Sequence, residues 1–470
     1  MLNMSEGEFL EYLKSFDIVP LYADFPCDTD TAISIYLKLK DYGACYLLES
    51  VEKSKRWGRY SFIGFDRLET FSFSIGEDEK PLSLLKDRYF SKKTLKLKEL
   101  PRFFGGGVGY IGYDCASLWN KVALPSEDIY SLPDLCLLFT KAVIIFDDFR
   151  KTFRIVYDAM QPQDYEKAEK MIDKILSLLH RPFSYDEGKG RSFPISTLHR
   201  EAFEEMARKA KRHIEDGETI QSVLAHHIVC STDVSPFDIY RTLRRTNPSP
   251  YMFYIDFDSF KLIGSSPEVL VRLEGETIEI SPIAGTRRRG KTKKEDEKLE
   301  KELLQDEKEK AEHLMLVDLA RNDVGRVAKA GTVKVENFMY VEKFSKVMHI
   351  VSDIKAKIEK DKDMFDLFRS CFPAGTVSGA PKVRAMQIIA SLEKTRRGPY
   401  AGSVGYFGYD GNMDMCIAIR TIVWKENKAF VGVGAGIVYD SIPQREYEET
   451  MEKASACIDA LGEENDINDR

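Results

Sequence analysis

Two sets of carboxylates recur at helical spacing. Glu309 and Glu312 are three apart in DEKEKAEHLMLVDL, and Glu446, Glu449 and Lys453 fall at i, i+3 and i+7 in REYEETMEKA. Each set therefore lines one helix face. Four carboxylates on two facing helices could hold a hard divalent ion, and Mg2+ takes one or two of them together with waters and an anionic substrate. The ordinary reading competes. Residues 294–312 are so rich in Glu and Lys that acids three apart arise by chance, and Glu449–Lys453 is a common i,i+4 pair. Glu312 stands apart because it sits where the charged run gives way to LMLVDL, at the border of a core.

Three stretches of small residues offer a second kind of chemistry. SPIAGTRRRG (281–290), PAGTVSGAP (373–381) and GVGAGIVY (432–439) read as turns with exposed backbone N–H groups. Such turns cradle anions when the amides converge. Gly285 and Thr286 are expected to make a tight turn with free amides, preceded by the inert Ala284 and followed by Arg287, Arg288 and Arg289. GTVSGAPK is not a phosphate loop, because Pro381 lies between its second glycine and the lysine. Gly and Pro mark turns everywhere, so each stretch alone says little.

A third group consists of titratable residues in apolar settings. His349 lies in KVMHIVS, which alternates like a strand; such a histidine usually packs in a core. Glu268, in GSSPEVLVRL, stands at a strand entry; if buried, its pKa rises and it can donate a proton. Arg420, in CIAIRTIV, reads as a cation embedded in an apolar strand, and burying it requires an anion. Tyr400 could present its hydroxyl from the turn RGPYAGS.

The elements that must position these residues read as follows. Residues 1–40 look helical, and β-rich segments follow: ACYLLESV, RYSFIGF, ETFSFSI, GGGVGYIGYD, then a hairpin from CLLFTKAVIIFDD and TFRIVYDAM. The helix DYEKAEKMIDKILSLLH closes this half, and the aperiodic polar residues 181–195 are the best linker. This divides the chain into a region 1–180, a linker 181–195 and a region 196–470. Beyond the linker come the helix HREAFEEMARKAKRHIEDGE, strands QSVLAHHIVCST, YMFYIDFDSFKLIGS and VLVRLEGETIEISPI, and a long charged helix over 294–320. Strands GSVGYFGYD, DMCIAIRTIVWKE and KAFVGVGAGIVY and a helix from 443 complete it. Strands and helices cluster rather than alternate, which predicts an α+β fold with largely antiparallel sheets.

The 470 residues, 43% hydrophobic and 31% charged, describe a globular chain long enough for two domains or one large intertwined one. A net charge of −7 makes it a poor general binder of nucleic acid, so the three arginines are a local feature. The opening residues MLNMSEGEFLEYLKSF lack a basic and then apolar signal pattern, and no apolar run approaches the ~20 residues of a membrane span. Eight scattered cysteines without a CxxC pair fit a reducing cytoplasm.

Taken together, SPIAGTRRRG, AEHLMLVDLARNDVGRV, VEKFSKVMHIVSDI, FPAGTVSGAPKVRAMQII, RRGPYAGSVGYFGYDGNMDMCIAIRT, VGVGAGIVYDS, EYEETMEKA and LLESVEKSKRWGRYSFIG resemble the chorismate-utilising enzymes. Within them they resemble the large subunits (component I) of anthranilate synthases, over roughly residues 20–455. The resemblance implies antiparallel sheets packed on each other and wrapped by helices, in two intertwined subdomains, with the site between the layers. It implies a lyase acting in tryptophan biosynthesis that converts chorismate and ammonia to anthranilate and pyruvate. Glu312 and Glu449 would hold Mg2+, with Glu309 and Glu446 supporting. Gly285, Thr286, Tyr400, Arg420, the turn Gly434–Ala435–Gly436 and Lys453 would contact chorismate. Glu268 would protonate the departing C4 hydroxyl, with His349 and Thr376 lining the same pocket.

Two further positions bear on the product. Many aminodeoxychorismate synthases, the alternative within the family, carry a nucleophilic lysine where this chain has Ala284. The isochorismate-forming members place a water-activating lysine where it has Gln221. With neither, ammonia is the expected nucleophile. LLES (47–50) and NPSPYM (247–252) resemble a pocket for L-tryptophan as feedback inhibitor, with Ser50, Asn247, Pro250, Tyr251 and Met252 as its contacts. Residues 225–227 read Ala-His-His where Ser-Gln-Arg is frequent, and Ser281 stands where Arg is common. No Gly-flanked cysteine nucleophile with a matching His-Glu pair is seen. Glutamine use would therefore need a separate amidotransferase subunit in a hetero-oligomer.

Overall fold

The computed structural model describes residues 1–50, 59–77, 80–185, 188, 190–344 and 347–462. The stretch VEKSKRWG (51–58) of one motif, Ser345 and Lys346 of another, and Asp186, Glu187 and Lys189 of the linker candidate lie outside the described residues.

Strand pairing is antiparallel throughout the two sheets. The first sheet runs Val19–Pro26, Thr152–Ala159, Leu135–Asp147, Tyr60–Phe73, Ala44–Glu49, Tyr251–Asp256, Lys261–Ser266, Thr421–Lys425, Lys428–Ile437, Gln221–Thr232 and then Ser192–Thr197. The second starts from the other end of Leu135–Asp147 and runs Gly106–Ile111, Ser403–Gly408, Met413–Ile417, Val269–Glu274, Thr277–Ile280 and Val347–Lys357. There Ile283–Arg288 and Lys334–Lys343 also pair. The long strands Tyr60–Phe73 and Leu135–Asp147 belong to both sheets. Asp66, at φ +59°, and a register slip between Arg67 and Glu69 bend them.

Apolar side chains of both sheets meet in an inner core: Tyr46, Phe62, Phe253, Leu262 and Phe430 from the first, Val108, Tyr110, Val404 and Tyr406 from the second. The outer face of the first sheet is covered by helices that include Asp164–Leu179, Pro236–Thr246 and Pro443–Ala460. That of the second is covered by Glu307–Gly325 and Met364–Cys371. The architecture is α+β with antiparallel sheets packed face to face, as the sequence implies. Among the described residues no helix is long and apolar enough to cross a membrane.

Four expectations are corrected. Residues 1–40 are not helical throughout. Between helices Glu6–Leu13 and Ala32–Leu39 the segment Val19–Pro26 is a strand, held in register against Thr152–Ala159. The charged run 294–320 is two helices, Lys293–Gln305 and Glu307–Gly325, because Asp306 leaves helical geometry and caps the second through Lys308 N and Glu309 N. Gly285 and Thr286 make no tight turn. They sit in the strand Ile283–Arg288 at a bulge, where Gly285 takes φ +67°. Gly434, Ala435 and Gly436 likewise lie in the straight strand Lys428–Ile437, not a turn.

Candidate active site

The chain passes between the two sheets at two neighbouring places. Lys261–Ser266 lies in the first sheet and Val269–Glu274 in the second, so Pro267 and Glu268 form a crossover. Met413–Ile417 lies in the second and Thr421–Lys425 in the first, so 418–420 form another. The crossovers are laced together: Ser265 N donates to Arg420 O (3.1 Å), Ile417 N to Glu268 O (3.0 Å) and Ser266 Oγ to Ile417 O (2.6 Å). Arg420 is therefore not in the middle of a strand, as its apolar neighbours suggest. It occupies the corner at φ +49°, a strained setting for a long side chain.

Glu268 is buried at this seam. Burial pushes its carboxyl up to about 7, with the Thr376 hydroxyl and the charges of Lys453 and Arg420 opposing the rise. Thr376 comes from the short helical turn Gly375–Val377, and its hydroxyl is buried without a hydrogen bond of regular geometry. Glu268, Thr376, Arg420 and Lys453 are thus brought together from four separate elements. A cleft runs from Glu268 past Thr376 and Pro282 to Leu316 and Leu319 on the acidic helix.

The bulge at Gly285 serves His349 opposite. His349 Nδ1 lies 3.0 Å from Gly285 O and 3.1 Å from Thr286 Oγ1. A carbonyl can only accept, so Nδ1 carries the proton and Nε2 is bare. Burial pushes this imidazole down to about 4, so it is neutral at physiological pH; the Gly285 carbonyl opposes that and the Arg420 charge adds to it. Ala284 is buried beside it. Two of the three arginines that follow are paired: Arg287 with Asp306 (2.7 Å) and Glu309 (3.0 Å), Arg289 with Asp296 (2.8 Å).

Small residues in Lys428–Ile437 make room for larger groups. A Cβ on Gly432 would fall 2.2 Å from the Tyr400 ring, one on Gly434 2.9 Å from the Tyr400 hydroxyl, and one on Gly436 2.7 Å from Gln221 Nε2. Tyr400, buried on its turn, is thereby laid against this strand. Lys453 Nζ donates to Gly434 O at 3.2 Å and pairs with Glu449 at 2.7 Å.

The acidic helices face one another across the mouth. Gln221 Nε2 donates to Glu312 Oε1 (3.2 Å). Burial pushes the Glu312 carboxyl up, Gln221 opposes, and the charges of Glu309 and Glu449 push further. Glu446 is raised in the same way, by burial first and then by Glu449, with Ser441 opposing. Glu449 thus disfavours the charged forms of both Glu312 and Glu446, a repulsion that a hard cation between the helices would relieve. Glu309 and Glu449 are meanwhile neutralised by Arg287 and Lys453, and among the described residues no three acids or other ligand side chains close on one point.

The second sequence-predicted cluster lies on the first sheet. Glu49 is in register with Met252, which brings Ser50 beside Tyr251. The Ser50 hydroxyl is buried with no partner. Asn247 O accepts from Ser265 Oγ, so Ser265 Oγ accepts in turn from Ser249 Oγ (2.9 Å). Tyr251 donates its hydroxyl to Asp414 of the second sheet (2.7 Å). Pro250 and Tyr251 border a small cavity shared with Pro267 and Val269, the residues flanking Glu268.

Sequence reasoning missed the buried pair Glu393–Arg397. Arg397 donates to Glu393 (2.6 and 2.9 Å), to Val377 O (2.7 Å) and to Val223 O (2.6 Å), while Glu393 accepts from Ala225 N (2.8 Å). One ion pair therefore fixes the Thr376 turn and the strand of Gln221, three residues before Tyr400. The i,i+4 spacing in SLEKTRRGPY was its signal.

A family model described as chorismate binding enzyme matches residues 43–459. An anthranilate synthase component 1 from Aquifex aeolicus (strain VF5) is 46% identical over 98% of each chain, and one from Acetivibrio thermocellus is 43% identical over 97% of each. The solved anthranilate synthase component I of Streptococcus pneumoniae TIGR4 superposes with a TM-score of 0.79 at 37% identity, covering 87% of this chain and 93% of its own. The menaquinone-specific isochorismate synthase of Escherichia coli shares the fold, with a TM-score of 0.71 at 20% identity over 97% of this chain and 98% of its own.

Proposed function

The chain belongs to the chorismate binding enzymes, and from that premise we propose that it is the anthranilate-forming component, a lyase that turns chorismate and ammonia into anthranilate, pyruvate and water. The observation that carries the chemistry is Glu268: a buried carboxyl that keeps its proton to about pH 7, set at the seam beside two cations.

Ammonia attacks ring C2 while the C4 hydroxyl departs. Hydroxide leaves badly, so Glu268 delivers its proton to that oxygen and water departs. Arg420 and Lys453 pair with the enolpyruvyl carboxylate, and Tyr400, Gly285 and Thr286 border the substrate. Aromatisation then needs the C2 proton removed as the C3–O bond breaks and pyruvate leaves. His349, neutral and with a bare Nε2, suits an acceptor rather than a donor. Thr376 orients the Glu268 carboxyl.

Glu312 and Glu449, supported by Glu309 and Glu446, would hold Mg2+ at the mouth, and the raised carboxyls of Glu312 and Glu446, buried and both facing the charge of Glu449, support that reading. When bound, the ion supplies positive charge opposite the ring carboxylate. Ala284 offers a methyl group and Gln221 an amide where a lysine would be a nucleophile or would activate water. That favours ammonia and anthranilate over the aminodeoxychorismate alternative. Ser50, Asn247, Pro250, Tyr251 and Met252 would receive L-tryptophan. A glutamine amidotransferase subunit would supply ammonia in a hetero-oligomer of the cytoplasm.

The test is product identity. Purified chain with chorismate, Mg2+ and ammonium salt is expected to give fluorescent anthranilate. Accumulation of non-aromatic aminodeoxychorismate would overturn the assignment, and a rate unchanged by EDTA would remove the metal.

A further inference from the structure

The helix Pro443–Ala460 carries Glu446, Glu449 and Lys453 on one stripe, and Glu449 and Lys453 are each half exposed. Something must fix the rotation of this helix about its axis, because successive residues point about 100° apart and a small roll would turn both side chains away from Glu312. The adjoining stripe, Thr450, Ala454, Cys457 and Ile458, is buried against the first sheet. Most of that contact is apolar and tolerates sliding. Two polar contacts with the sheet do not, while Gln444 and Glu448 reach Glu204 and Arg200 on the neighbouring helix. One is Lys453 to Gly434 O. The other is His226 Nε2 to Thr450 Oγ1, at 2.8 Å, with both residues buried.

Donor and acceptor in the second contact are settled by its surroundings. Thr450 Oγ1 gives its own hydrogen to Tyr447 O at 2.7 Å, so towards His226 it can only accept. His226 therefore carries its proton on Nε2. Nδ1 is left bare, buried and without a partner. An unsatisfied buried nitrogen is costly, and an apolar residue would avoid that cost. The ring also lies near-parallel to Tyr447 at 5.8 Å and meets Phe203 edge-on at 5.4 Å, so its orientation is fixed from two helices. In register, His226 faces Val433, the residue before Gly434. The two polar anchors thus sit on adjacent strands, one helical turn apart, and Glu449 adjoins the first of them.

We propose that His226 is a positioning residue: its Nε2–H grips Thr450 and sets the roll of the C-terminal helix, so that Glu449 and Lys453 face the Glu312 helix. This rests on the reading of Glu449 as a metal carboxylate. A glutamine amide at this position can offer the same N–H.

The test uses the full chain and Mn2+ as a paramagnetic probe, with binding read from loss of the free-ion EPR signal, alongside KM and kcat for chorismate. His226→Leu is expected to weaken Mn2+ binding and raise the chorismate KM by about tenfold with kcat changed far less, as loss of outer-shell support does at metal sites. His226→Gln is expected to restore both to within about threefold of the parent on the same reasoning. Thr450→Val removes the acceptor and should match His226→Leu, and the double variant should be no worse than either; this pair also serves if the leucine variant does not fold. Equal behaviour of the Leu and Gln variants, or additive losses in the double variant, would overturn the proposal. Glu449→Gln separates the two readings. If it leaves Mn2+ affinity intact, the metal assignment fails; if it weakens binding while His226→Leu and Thr450→Val do not, the positioning role alone fails.

Discussion

Glu268 shows how much one buried side chain decides. Its carboxyl titrates near 7 in the folded chain against an ordinary value of 4.5. The unfolded chain loses this proton first, so between about pH 4.5 and 7 folding must retain a proton that water would remove, and stability falls as pH rises through that window before levelling off. The shift corresponds to roughly 3 kcal/mol. Glu268→Gln is accordingly expected to melt higher than the parent at pH 8 while losing anthranilate formation. The parent rate, normalised to free ammonia, should decline as pH rises through about 7. A variant that melts lower at pH 8, or a normalised rate that rises there, contradicts the assignment. Glu268 and Glu312 were legible in the sequence because a carboxylate bordering an apolar run is conspicuous in one dimension. His226 was not, because Thr450 Oγ1 is distant in the chain, and the i,i+4 spacing of Glu393 and Arg397 gave no sign that Arg397 reaches Val377 O and Val223 O.

Elements carry these residues by departing from regularity. The two crossovers put Glu268 and Arg420 at the corner between sheets, the bulge at Gly285 aims a carbonyl at His349, and glycines in Lys428–Ile437 leave room for the Tyr400 ring. Hydrophobic periodicity found most of the strands but misread these departures. A crossover of apolar residues looks like more strand, and a glycine-rich strand looks like a turn. What distinguishes them is the cross-strand partner, which local pattern does not contain. The buried pair Glu393–Arg397 holds two of these irregular pieces in place. Arg397→Met leaves Glu393 charged and unpaired in the core. The expected cost is about 3–5 kcal/mol, read as a lower denaturant midpoint, with chorismate KM raised because the Thr376 turn and the Tyr400 loop lose a common anchor. A variant of parental stability would mean that the pair contributes nothing to the fold.

At the scale of the whole molecule, strands from both ends of the sequence share each sheet. Gly106–Ile111 pairs with Ser403–Gly408, and Ala44–Glu49 with Tyr251–Asp256. The family resemblance implied this interweaving, which strand patterns alone left open because no local signal names a partner three hundred residues away. It bears on the proposed inhibition by tryptophan. Ser265 binds Asn247 O through its hydroxyl and Arg420 O through its amide, and Tyr251 bonds Asp414 across the sheets. The proposed tryptophan contacts Asn247, Tyr251 and Met252 are therefore joined through Ser265 to the corner that holds Arg420. L-Tryptophan seated there would bind the native state only, so at a hundredfold excess over its dissociation constant it should stabilise the chain by about 2.7 kcal/mol. That appears as a rise in melting temperature together with loss of anthranilate formation. Ser50→Phe fills the space beside Tyr251 and Met252 and should abolish both effects together. If the variant still melts higher with tryptophan, the amino acid binds elsewhere. If melting rises in the parent while the rate is untouched, the pocket is right but Ser265 does not couple it to Arg420.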